Sequence, residues 1–74
     1  MVKQSEVLGM LLNKKPFQAS NIFATINEHG EYVVYSYQTI ILKVSAKNDI
    51  YFDNKYYSRT TSKLQKRIKQ AFNL

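Results

Sequence analysis

The chain has 74 residues, 45% of them hydrophobic and 14% aromatic, with no cysteine and a formal net charge of +6. A single domain of this size supports one core only marginally, so self-association stays open as a further way to bury surface. Without cysteine there is no disulfide framework, thiolate metal site or cysteine nucleophile, which suits a reducing cytoplasm.

The first predicted element is a helix over about residues 4–13. Val7, Leu8, Leu11 and Leu12 recur at three- and four-residue spacing and give it one apolar face. Ser5 is the expected N-cap, Glu6 suits the positive helix start, and Lys14 and Lys15 suit the far end. Pro16 ends the helix, because proline disfavours helical geometry in the residue before it. The stretch 7–12 is short and lacks the small-residue cleavage site of a signal peptide, so it reads as helix. Apolar runs such as Ile40-Ile41-Leu42 fall far short of the roughly 20 residues that cross a bilayer, and no membrane partner is expected.

Residues 17–58 read as strands. Ile22, Ala24 and Ile26 alternate with Phe23 and Thr25, Asn27-Glu28-His29-Gly30 supplies a turn, and Tyr32 to Tyr37 follows with β-branched and aromatic residues. Ile40, Leu42 and Val44 alternate with Ile41 and Lys43, as a third strand or a continuation of the second. Ala46-Lys47-Asn48-Asp49 turns the chain again. Ile50-Tyr51-Phe52 and Lys55-Tyr56-Tyr57-Ser58 then flank Asp53-Asn54 in the spacing of a tight hairpin, with Asn54 expected in left-handed geometry.

The last predicted element is a helix over about residues 61–72. Thr60, Thr61 or Ser62 caps it, and Gln65, three residues after Ser62, completes a capping-box pattern. Leu64, Ile68, Ala71 and Phe72 form an apolar stripe, leaving Lys63, Lys66, Arg67 and Lys69 on the outer arc with Gln65 and Gln70. The expected fold is therefore α+β: a short N-terminal helix, an antiparallel meander of four or five short strands, and a basic amphipathic C-terminal helix packed on the sheet, in one domain over 1–74.

Charge is segregated toward that helix. Lys55, Arg59, Lys63, Lys66, Arg67 and Lys69 all follow the last acid, Asp53, whereas the lysines before it are balanced by acids. A one-ended excess creates a directional field toward an anionic partner. The helix could lie against phosphates, and in a major groove Gln65 or Gln70 would suit adenine and Arg67 guanine.

Six tyrosines and four phenylalanines add a second signal. Tyr35, Tyr37 and Val33 share one strand face and Tyr32, Val34 and Ser36 the other, while adjacent Tyr56 and Tyr57 point to opposite faces. Tyrosine in this setting either fills a half-buried sheet with its hydroxyl wet, stacks unpaired bases beside cations, or anchors a partner protein.

Catalytic constellations are not apparent. His29, the only histidine, sits beside Gly30 in a turn, with Glu28 and Glu31 as neighbours, and reads as a solvated turn residue rather than a general base. One histidine and scattered acids offer no metal-ligand spacing, Gly9 and Gly30 make no phosphate loop, and the hydroxyl residues have no basic partner in the sequence pattern. A non-enzymatic binding protein without cofactor is the expectation.

Tyr35-Ser36-Tyr37-Gln38-Thr39, Ile50-Tyr51-Phe52 and the run from Tyr56 to Gln65 resemble a family of short bacteriophage proteins of Gram-positive hosts. The shared pattern is Tyr-Ser-Tyr-x-Thr, a hairpin, then Tyr-Ser-x-Thr-Thr-Ser-Lys-x-Gln, over about residues 32–70. Those relatives often carry Gly or Asn where this chain has Gln38, and a His near Leu64. The resemblance implies a phage or prophage origin and action in the bacterial host cytoplasm, and it brings no activity. Two expectations follow: nucleic-acid binding, or an inhibitor docking on an acidic surface of a host protein in anti-defence or host takeover. The expected contact residues are Lys55, Tyr57, Arg59, Lys63, Lys66, Arg67, Lys69 and Gln70.

Overall fold

Alternating side chains along the strands divide the sheet into an apolar face that two helices cover and a second face that they leave open. The computed structural model describes residues 3–19 and 21–74. Helix α1 (Gln4–Leu12) precedes strands β1 (Phe17–Ala19), β2 (Ile22–Ile26), β3 (Tyr32–Ser36), β4 (Thr39–Val44) and β5 (Ile50–Phe52), and helix α2 (Arg59–Phe72) follows them. All pairings are antiparallel and the strand order is β1-β2-β3-β4-β5. The expected α+β architecture is the observed one.

Both helices lie on the same side. Val7 and Leu11 of α1 and Leu64 and Ile68 of α2 share one buried cluster with Phe17, Ala19, Ile22, Ala24, Tyr32, Val34, Leu42 and Val44 of the sheet. The stripe expected of α2 is present, with Leu64 and Ile68 fully buried and Ala71 and Phe72 packed at its edge. In α1 the expected face narrows. Val7 and Leu11 are buried, whereas Leu12 is exposed and Met10 reaches the core in its place.

One irregularity sets which residues of β4 enter the core. Val34 pairs with Leu42 but Tyr35 pairs with Ile40, so Ile41 is an extra residue opposite β3. A bulge of this kind puts two successive side chains on one face. Ile41 and Leu42 are both fully buried, and Ile40 turns to the outer face. The simple alternation read from Ile40, Leu42 and Val44 is thereby corrected at its first member. The carbonyl of the bulged Ile41 accepts from the Asp53 amide at 2.8 Å, just beyond the end of β5.

Turn chemistry repeats. Asn27 Oδ1 accepts the amides of His29 and Glu31, with Gly30 at φ 76° closing the turn. Ser45 Oγ accepts those of Lys47 and Asp49, with Asn48 at φ 68° in the equivalent place. Both expected turns are observed. Between β3 and β4, Tyr37 adopts φ 57°, a left-handed conformation uncommon for a bulky residue. This sharp turn makes β4 a separate strand.

The helix ends depart from expectation. α1 begins at Gln4 after Lys3, so Ser5 falls inside its first turn and caps nothing. Its end is a left-handed turn at Lys14, where the amides of Lys14 and Lys15 donate to Leu11 and Met10. α2 starts at Arg59, and its cap is Ser58, whose Oγ accepts from the Thr61 amide at 3.2 Å. Thr61 is drawn inward instead, with its hydroxyl 2.7 Å from Ser36 Oγ on β3.

With so small a core, one deep truncation is a large fraction of total stability. Leu64→Ala should cost about 2–5 kcal/mol, read as a lowered urea midpoint with a similar denaturant slope, whereas Leu12→Ala should shift the midpoint little.

Candidate functional site

The segment between β5 and α2 carries no strand, which corrects the expected hairpin at Asp53-Asn54. Gln65 gives the reason. Its side chain is buried on α2, and its Nε2 donates to the carbonyls of Asp53 at 2.7 Å and Lys55 at 2.9 Å. Main-chain acceptors of residues 53–55 are thus held against the helix, and Asn54 is not left-handed. Gln65 completes no capping box and has no free amide for a base edge.

The far side of this segment is tied by Asp53. Its Oδ1 accepts the Lys55 amide at 3.0 Å, and its Oδ2 accepts the Tyr57 hydroxyl in a short hydrogen bond. The Tyr57 bond, with the Lys55 amide, holds the Asp53 carboxyl below the usual carboxylate range, and the same bond pushes the Tyr57 phenol up. The Tyr57 hydroxyl is therefore engaged by Asp53.

An open groove of ≈ 350 Å³ lies between this segment and α2, lined by Asn54, Tyr56, Ser62, Gln65, Lys66 and Lys69. Among the described residues, Tyr56 is the most exposed of the large hydrophobics, at 74%. The eight expected contact residues separate around it. Lys66 and Lys69 line the groove; Lys63, Arg59 and Gln70 lie on the outermost arc of α2, and Lys55 is exposed on the neighbouring segment. At about 100° per residue Arg67 falls on the flank away from Gln65, where it is half-buried. Tyr57 lines a different cavity.

Tyr56 and Asn54 are groove residues that sequence reading passed over. Tyr56 was legible only as one of an adjacent pair with opposite directions, and the carbonyl anchoring by Gln65 decides which of the two meets the lysines.

The remaining aromatics stand elsewhere. Phe23 and Tyr35 face each other across β2 and β3 with ring centroids 5.5 Å apart, and Ile40 pairs with Tyr35 from β4. Tyr51 stands in the next row, opposite Lys43, whose Nζ lies 3.5 Å from Glu31 Oε1. This is the sheet face turned away from α2. The tyrosines of the strands and the cations of the helix therefore do not form one platform.

Tyr32, from the same strand as Tyr35, lies on the core side, where its hydroxyl donates to the Lys15 carbonyl at 2.9 Å and burial pushes its phenol up. His29 is exposed on its turn, 3.6 Å from Glu28. Among the described residues no group of three or more His, Asp or Glu is placed to hold a metal ion, and no helix is long and apolar enough to cross a membrane.

A family of unknown function, DUF8033, matches residues 7–73. The chain belongs to that family. The match takes in α1 from Val7 onward, the whole sheet and α2, so the groove and its anchoring glutamine lie inside the family's own domain. No curated protein and no solved structure gives a match.

Two measurements check this geometry. Asp53 should titrate below the ordinary aspartate range by carboxyl NMR, and Tyr57→Phe should move it upward. Because the folded-state value is depressed, the stabilisation from this contact is present above the ordinary carboxylate pKa and is lost as pH falls through the lowered one. Gln65→Leu should release the 53–58 segment, seen as faster amide exchange there, and lower stability by about 1–3 kcal/mol.

Proposed function

We propose that the protein is a non-enzymatic binding module that engages nucleic acid along the groove between α2 and the Asn54–Tyr56 segment. The observation that carries this reading is the placement of Lys66 and Lys69 in one groove with the exposed ring of Tyr56. Cations set along a groove suit a phosphate backbone, and an exposed aromatic ring suits a base face. Lys63 and Arg59, on the adjoining arc of α2, extend the same field. No Asp or Glu follows Asp53 in the sequence, so the net positive charge is concentrated at this end of the chain. The resemblance to phage proteins of Gram-positive hosts agrees with action on phage or host nucleic acid in the bacterial cytoplasm.

A second reading is an inhibitor that docks on a host protein. What favours it is the outer sheet face, where Phe23, Ile40 and Tyr51 are exposed and the only cation in the strand register, Lys43, is beside Glu31. Such a face suits an apolar protein surface better than a polyanion.

Fluorescence anisotropy with labelled single- and double-stranded oligonucleotides separates the two. Nucleic-acid binding predicts a Kd tighter than about 10⁻⁶ M that persists at near-physiological salt, beyond typical non-specific attraction. Lys63→Glu, Lys66→Glu and Lys69→Glu combined should weaken it more than about tenfold, with an unchanged circular dichroism spectrum. Binding that vanishes at physiological salt, with a host protein recovered through the outer face and lost in Phe23→Glu, would establish the second reading instead.

A further inference from the structure

The turn between β3 and β4 and the start of α2, far apart in sequence, enclose a second cavity of ≈ 170 Å³. Its floor is made by Ser36, Ile41 and Thr61, none more than 2% exposed, and its rim by Tyr37 and Tyr57, both exposed. Pockets for drug-sized ligands run from about 300 to 1,000 Å³, so this one has room for a single ring.

The floor hydroxyls form a chain. Ser58 donates its hydroxyl proton to Thr61 Oγ1 at 3.2 Å, and Thr61 shares one proton with Ser36 at 2.7 Å. Each hydroxyl supplies one donor and two acceptor sites. Every buried side-chain oxygen and nitrogen among the described residues has a partner. Among the hydrogen bonds of the described residues, the three hydroxyl protons of Ser36, Ser58 and Thr61 meet two hydroxyl–hydroxyl bonds, which leaves Ser36 or Thr61 able to donate once more. Both residues line the cavity. An acceptor brought into the cavity by a ligand would take that donation as a further hydrogen bond.

We propose that this cavity receives one unpaired nucleobase, whose carbonyl oxygen or ring nitrogen accepts the remaining hydroxyl proton while its face lies against a rim tyrosine. The inference rests on the nucleic-acid reading above and makes it a single-strand reading. Tyr56 and Tyr57 are consecutive, yet one lines the lysine groove and the other this cavity. The groove and the cavity are thus linked through adjacent residues, the step by which a strand held by Lys66 and Lys69 would reach the cavity. The rim position of Tyr37 is set by its left-handed backbone, which an L residue adopts at a cost, and the cavity gives that conformation a use.

The test compares a short oligothymidylate with an abasic strand of equal length and charge, by anisotropy, in the full chain. The wild-type protein should prefer the base-bearing strand by about tenfold or more, the order expected for one stacked and hydrogen-bonded base. Thr61→Val should reduce that preference at least about fivefold, as loss of the base contact requires, and leave the affinity for the abasic strand within about twofold, because that affinity comes from the lysines. Tyr37→Gly is the companion variant. It relieves the left-handed residue and so preserves the turn, and it should lower the preference in the same way. If both folded variants keep the wild-type preference, the cavity holds water and the proposal is overturned while the lysine groove stands. If the wild-type protein binds neither strand, the nucleic-acid reading falls and this inference falls with it.

Discussion

One side-chain amide ties the chain after β5 to α2. Gln65 is buried on α2 and spends both of its Nε2 protons on the carbonyls of Asp53 and Lys55. A buried amide left unsatisfied would be costly, so the chain after β5 is bound to run close along the helix. That path leaves no room for a sixth strand. It also brings Ser58 to the place where its hydroxyl can accept the Thr61 amide and cap α2. The groove, the cap and the separation of Tyr56 from Tyr57 all follow from it.

The bulge at Ile41 is the corresponding constraint on the sheet. By burying Ile41 beside Leu42 it supplies a further apolar side chain to a core that must serve two helices. Its carbonyl, released from the β3 ladder, accepts the Asp53 amide and extends the β5 edge by one contact. The same residue forms part of the cavity floor between the β3–β4 turn and α2. Packing and site are thus coupled through a single extra residue.

The two faces of the sheet have different chemistry. One is covered by α1 and by α2, whose outer arc carries cations, and the other presents Phe23, Tyr35, Ile40 and Tyr51 with the Lys43–Glu31 ion pair. The two proposed modes of binding therefore fall on opposite sides. Val33 marks how closely the open face is packed at its centre, being buried on β3 between Thr25 and Lys43 in the register.

The elements themselves were legible in the sequence because they rest on local rules. The spacing of Leu64, Ile68, Ala71 and Phe72 suffices for an amphipathic helix, and Asn27 to Gly30 suffices for a turn, since each needs only near neighbours. The cation excess after Asp53 was equally plain. The capping assignment failed at Ser62 and Gln65 because α2 begins earlier, at Arg59 with Ser58 as its cap, and because distant carbonyls claim the Gln65 side chain. The Asp53-Asn54 hairpin failed because a helix twelve residues on outbids strand pairing for those same acceptors. Composition and periodicity alone thus determined a helix, a meander and a basic helix on one small core. Which tyrosine meets the lysines, and which serines and threonines face a cavity, were decided by tertiary packing, because hydrogen bonds between segments far apart in sequence leave no periodic trace in it.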